Sequence, residues 1–330
     1  MVRLDQGDVR PEYHRIETLG HITPSAPREG SATEIMSGRH DFHRAILIGE
    51  VRDVEPSGTS PNWSYLSLIS EGHQYYVPIP TSGASLRQLE ALIGSTVRLD
   101  GYPDSHNGSR RFLDERRFVV SGFSSIDVIT PPPDDPFVNA PDVESLRRLS
   151  SESLPRLGRH KALGQLIAKW QSVHALLQMP DGRKALITFS SATVIPRGAY
   201  VEVIGYPSTD GFFLRLSRAI GRQVAGEQFS EPEVQDLDKH ILENLLSDTF
   251  SNKLILQGQR IRLCGAIADF GEGQRESMTL PLAIAGRLLD VDFSSMPESC
   301  DGIVPGCKVR VAGTCVLATK TGRRFPQARR

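Results

Sequence analysis

The pattern Gly-x-x-Val-x-(Leu/Val)-x-Gly occurs three times in this chain and restricts its fold more than any other feature. The copies are Gly94-Ser-Thr-Val97-Arg-Leu99-Asp-Gly101, Gly198-Ala-Tyr-Val201-Glu-Val203-Ile-Gly205 and Gly306-Cys-Lys-Val309-Arg-Val311-Ala-Gly313. The first Gly suits a turn needing positive φ, and the alternating apolar residues give a strand one buried face. The last Gly suits a bulge or sharp bend. Upstream of each copy lies a strand with a glycine in its middle: Ala45–Val51 around Gly49, Lys161–Ile167 around Gly164, and Arg260–Ile267 around Gly265. A mid-strand Gly at the same place three times predicts a strongly curved first strand.

The remaining strands fall between and after these motifs. Ser64–Ile69 and Gln74–Ile79 flank the hairpin signal Glu71-Gly72, and His174–Met179 and Ala185–Phe189 flank Pro180-Asp181-Gly182. In the third copy Ser277–Leu282 and Leu288–Phe293 flank Ala285-Gly286. Fifth strands are expected at Arg117–Val120, Phe212–Leu216 and Cys315–Ala318. Copy one adds a short helix: Ser85 and Gln88 form a capping box, Leu86, Leu89 and Leu92 share a face, and Gly94 stops it.

The chain is therefore expected to be all-β with a few helices, with three five-stranded barrels in series. A leader and barrel occupy 1–130, a linker and barrel 131–225, and a helix and barrel 226–330. The linker is the proline-rich stretch Thr130–Pro136, which suits neither helix nor central strand. Ile16–Leu19, Val143–Leu146 and Val234–Leu237 each lead toward a barrel, and Ser230-Glu231-Pro232-Glu233 caps a helix expected to reach Leu246.

The strand order, with its optional helix between strands three and four, resembles the OB-fold, a five-stranded Greek-key barrel. A leader followed by such a barrel, repeated in series, is similar to the extracytoplasmic sensory region of bacterial membrane-bound sensor histidine kinases. The carrying residues are Gly49-Glu50-Val51 near the start of a barrel and the Gly-x-x-Val-x-Val-x-Gly closure. That resemblance implies a non-enzymatic sensory module, periplasmic or otherwise extracytoplasmic, trimmed from a membrane anchor and a C-terminal signalling domain. Its partner would be a small ligand, a glycan or a protein. A complete chain would instead be cytoplasmic, and the rival reading is a single-stranded nucleic-acid-binding OB protein.

Charge bears on that rival. Lys plus Arg number 38 against 39 Asp plus Glu, a formal net charge of -1, whereas phosphate recognition favours a basic excess. The sequence holds no G-x-x-x-x-G-K-[ST] phosphate loop, no H-E-x-x-H helix and no G-x-S-x-G elbow, so no enzyme class, cofactor or metal is expected. His40 and His43 flank Asp41, but they read as a solvated approach to the first strand.

OB barrels bind on the face of strands two and three, and copy one offers Trp63, Tyr65, Tyr75 and Tyr76 there, with Arg110, Arg111, Arg116 and Arg117 flanking its last hairpin. Adjacent Tyr75 and Tyr76 must point to opposite faces. Aromatic residues are also ordinary strand formers, which is the plainer account of the same residues. All four cysteines lie late in the chain, and two explanations stand: buried free thiols, or disulfides pairing Cys300 with Cys307 and Cys264 with Cys315.

Overall fold

A barrel closes only if its first strand can pair on both edges, and the repeated glycines mark where this chain makes that possible. The computed structural model describes residues 2–5, 8–11, 20, 25–41, 43–57, 61–81, 85–104, 117–151, 153–154, 157–210, 213–226, 233–237, 256–271, 273, 276, 278–284, 286–294, 296–300 and 302–317. Two compact units are present, residues 1–138 and 139–330.

The first unit opens with a hairpin of β1 (Val2–Asp5) and β2 (Asp8–Pro11). Its barrel comprises β3 (Arg28–Glu29), α1 (Ala32–Met36), β4 (Ala45–Pro56), β5 (Trp63–Ser70), β6 (His73–Pro80), α2 (Leu86–Glu90), β7 (Thr96–Asp104), β8 (Arg117–Val120) and β9 (Ile126–Thr130). The order runs β4-β5-β6-β8-β7, and β7 pairs back onto β4. The second unit holds barrel two: β10 (His160–Trp170), β11 (His174–Gln178), β12 (Lys184–Phe189), β13 (Tyr200–Asp210) and β14 (Phe213–Gln223), closed as β10-β11-β12-β14-β13. Among the five closing strands of each, the pairing of strands three and five is parallel and the others antiparallel. This is the OB Greek key, and the protein is an all-β, OB-like chain.

Barrel three comprises β15 (Gln235–Asp236), β16 (Arg260–Ile267), β17 (Thr279–Ile284), β18 (Arg287–Asp292) and β19 (Lys308–Thr314). Strand β16 pairs with β17 and β19, and no fifth strand closes this barrel among the described residues. The expected fifth strand at Cys315 is corrected. Cys315 N–H donates to the Gln259 carbonyl (2.9 Å) and Leu317 N–H to Gln257 Oε1, so the chain runs on beside residues 257–259 instead of turning back.

The three copies share one register. Gly49 faces Val97, Gly164 faces Val201 and Gly265 faces Val309. A Cβ on Gly49 would meet the Ile69 carbonyl oxygen at 2.5 Å, on Gly164 that of Gln178 at 2.2 Å, and on Gly265 that of Ala283 at 2.7 Å. Strand two therefore crosses directly over the first strand, which is the curvature expected from the sequence. The turn glycines Gly94, Gly198 and Gly306 all have positive φ (88°, 86° and 87°). Their N–H groups donate to Val51, Leu166 and Ile267, each two residues beyond the mid-strand Gly.

The leaders repeat in a form the sequence did not show. Glu29 pairs in parallel with Ile46, Asp142 with Lys161, and Asp236 with Arg262, each three residues before the mid-strand Gly. Asp236 also accepts from the Arg262 guanidinium at 3.0 and 3.1 Å. Val143–Leu146 lies within a 3-10 helix over Val143–Arg148, but Gln235–Asp236 is a strand, which corrects the expected helix there. Ile16–Leu19, Ser230–Pro232 and the stretch beyond Leu237 toward Leu246 lie outside the described residues. The capping box at Ser85 and Gln88 forms; Leu89 and Leu92 are buried and Leu86 is exposed.

Gly164→Ala is expected to destabilise the second unit by about 2–4 kcal/mol, because its Cβ meets backbone that cannot move aside. Gly313→Ala, with nothing among the described residues within 4 Å of the added Cβ, is expected to cost less than about 1 kcal/mol. Urea denaturation of both variants checks the contrast.

Candidate ligand-binding face of barrel one

Strict alternation in β5 and β6 sends every second side chain outward. Outward cross-strand pairs are Trp63 with Pro80, Tyr65 with Pro78, Ser67 with Tyr76 and Ile69 with Gln74. Trp63 is 39% exposed, and Tyr65 and Tyr76 are half-buried. Gln74 Nε2 donates to the Tyr76 hydroxyl and to Ser67 Oγ, both at 3.0 Å, which fixes the Tyr76 ring on the surface.

Tyr75 does not join them. It is 1% exposed, packed in the barrel core, and its hydroxyl donates to the Ala32 carbonyl at 2.7 Å, holding α1 against the barrel. Of the four aromatic candidates, three are brought together and Tyr75 is structural. Arg110 and Arg111 lie outside the described residues. Arg116 lies outside them too, whereas Arg117, the fourth of these basic residues, pairs with Tyr76 from β8. On the other side β4 sets Glu55 opposite Tyr65 and Glu50 opposite Ile69, with a bulge at Arg52 between Val51 and Asp53.

The shared register allows the same face to be compared in all three barrels. Val51 faces Leu68, Leu166 faces Leu177 and Ile267 faces Leu282, so Ser67 and Tyr76 correspond to Leu176 and Leu186, and to Pro281 and Asp290. Likewise Tyr65 and Pro78 correspond to His174 and Thr188, and to Thr279 and Asp292. In barrel two Leu176 and Leu186 are buried with Ala168, and Trp170 and Phe213 of the same barrel, together with Val316 of barrel three, pack on them. In barrel three the position carries exposed Asp290 and half-buried Asp292. One face thus has three states: aromatic, apolar and covered, and acidic.

The four cysteines are free thiols. Cys264 is exposed and faces Arg310 on β19, and Cys315 lies five residues beyond Arg310 in sequence. At about 3.3 Å per residue that separation is roughly 16 Å, beyond the ~7 Å Cα reach of a disulfide, so the Cys264–Cys315 pairing is corrected. Cys300, Cys307 and Cys315 pack against the core of barrel three, and burial pushes the Cys315 thiol up to about 11. Among the described residues no three His, Cys, Asp or Glu side chains are grouped to hold a metal ion.

No protein-family model matches this chain, and no curated protein matches it. Among solved structures it is similar to the p204 HINb domain at 9% identity, covering 56% of this chain and 99% of that one with a TM-score of 0.29. It is also similar to a murine DNA-binding protein bound with double-stranded DNA, at 9% identity over 55% and 99% with a TM-score of 0.27. A third is asparaginyl-tRNA synthetase from Pyrococcus horikoshii complexed with asparaginyl-adenylate, at 10% identity over 56% of this chain, with a TM-score of 0.27. The match spans 54%, about half, of the synthetase. Superpositions this loose carry no conclusion about a ligand.

Tyr75→Phe is expected to cost about 1–2 kcal/mol, because it strands a buried carbonyl, whereas Tyr76→Phe is expected to change stability by less than about 0.5 kcal/mol. Chemical denaturation of the two variants separates the core ring from the surface ring. With a thiol reagent at pH 8, Cys264 is expected to react first and Cys315 last, as site-resolved mass spectrometry can read.

Proposed function

We propose that this chain is a non-catalytic binding protein and that the β5–β6 face of barrel one receives single-stranded nucleic acid by base stacking. The observation that carries this is the outward set Trp63, Tyr65 and Tyr76, on the face OB barrels use for ligands. Trp63 and Tyr65 stand two residues apart on one strand, about 7 Å along it, which suits successive unstacked bases. The equivalent face is covered in barrel two and acidic in barrel three, so neither offers a second stacking platform.

Stacking, not phosphate neutralisation, dominates this interaction. Arg117 is the described cation at the platform's edge, and Glu50 and Glu55 stand on the opposite strand. Affinity should therefore fall only gently with salt, since the slope counts neutralised phosphates. The flanking carboxylates favour a second reading, in which the ligand is an uncharged ring compound such as a glycan. That reading agrees with an extracytoplasmic sensory module and its membrane anchor; no helix among the described residues is long and apolar enough to cross a membrane.

Fluorescence anisotropy with labelled oligo-dT should give a saturable curve at low salt. Trp63→Ala and Tyr76→Ala should each weaken binding by about 1–3 kcal/mol, or 5- to 150-fold. No retention of oligonucleotide alongside Trp63-dependent binding on a glycan array would replace the first reading with the second.

A further inference from the structure

Barrel two and barrel three meet on the face that barrel one leaves aromatic. Val316 packs against Leu176, Leu186 and Ala168, and Gly258 lies close to Lys184 and Ile167. The Gln171 N–H donates to Ser294 Oγ at 3.3 Å, from a β10–β11 turn in which Gln171 and Ser172 both have positive φ (48° and 61°). Neither residue is glycine, so this turn is strained, and its contact with barrel three helps to hold it.

Next to this cluster, stacked on its Trp170 and within the electrostatic reach of Asp292 of barrel three, stands His174, in the position Tyr65 occupies in barrel one. Its ring stacks on Trp170 at 5.6 Å between centroids, with 24° between the planes, and Nδ1 lies 3.3 Å from Thr188 Oγ1. We propose that barrel three is latched onto barrel two only while His174 is neutral, so that acidification releases barrel three and uncovers the apolar face of β11 and β12.

The charges around the ring explain the direction. Arg215 on β14 acts on it electrostatically and opposes a second positive charge; Asp292 on β18 favours one. Asp292 is already engaged: Oδ1 accepts from the Ser294 N–H (3.0 Å) and hydroxyl, and Oδ2 from Thr279 (3.4 Å). Lys169 on β10 is turned to the Thr193 and Ile195 carbonyls, and Lys184 on β12 lies against Gly258. Burial first, and Arg215 second, hold the His174 pKa below its ordinary 6.5. The docked form therefore binds the proton less readily than a released form with a solvated ring. Docking is at full strength above pH 6.5 and is lost as the pH falls through 6.5 toward the depressed value.

The test uses the full chain with Trp63→Phe, which leaves Trp170 as the one tryptophan of the two in the sequence. Its emission maximum should shift to the red between pH 7.5 and 5 while far-ultraviolet circular dichroism stays constant. Adding His174→Phe, which keeps a stacking ring without a proton site, should abolish the shift. Adding His174→Arg should produce the red-shifted spectrum already at pH 7.5. The proposal is overturned if the parent shows no shift, or if the His174→Phe protein shows the same one. Should the arginine variant fail to fold, the phenylalanine comparison decides alone.

Discussion

The structure depends on a close approach of backbone to backbone, where the carbonyl of strand two lies over a glycine in the middle of strand one. At Gly49, Gly164 and Gly265 that oxygen would sit 2.2–2.7 Å from any Cβ, so only glycine allows strand one to bend and pair on both edges. Every later register follows from this contact. Strand four lands with its Val opposite the Gly, the turn glycine donates two residues further on, and the leader adds a parallel pair three residues before. Gly101 shows the same crowding where strand four meets strand five, and Gly205 a looser form of it, with Leu216 Cβ and the Ser217 carbonyl oxygen 3.0 Å from an added Cβ. Gly313 meets nothing among the described residues, in keeping with the absence there of a described fifth strand.

Because the register is shared, the outer face of strands two and three can be varied without disturbing the barrel beneath. Barrel one uses it for exposed rings, barrel two for leucines that dock its neighbour, and barrel three for aspartates. A covered face stabilises by removing apolar surface from water, at roughly 25 cal/mol per Å². An open aromatic face forgoes part of that stabilisation and keeps rings available for stacking. This contrast leaves the first barrel with exposed rings on that face and the other two packed against each other.

Much of the fold was legible because it rests on period-two alternation and on residues with special backbone needs. The turn glycines, the mid-strand glycines and the Ser85–Gln88 capping box all acted as their chemistry requires. The parallel leader strands were not legible, since two residues paired at long range leave no periodic trace. The junction did leave one: Ala175-Leu176-Leu177 and Ala185-Leu186-Ile187 run apolar without alternation, which marks strands buried on both sides. In the candidate site, alternation separated Tyr75 from Tyr76 but could not say which faced the core. Arg117 was legible as a basic residue near the last hairpin, but its place beside Tyr76 follows only from the parallel pairing of β6 with β8.

The central claim is that recognition belongs to one face of one barrel, and photocrosslinking tests it most directly. The full chain would be irradiated with a bound single-stranded oligonucleotide and its adducts mapped by mass spectrometry. The account predicts adducts on β5 and β6, centred on Trp63, Tyr65 and Tyr76, with none on β11 or β12 at neutral pH. Adducts concentrated on barrel two or three, with barrel one unmodified, would contradict it.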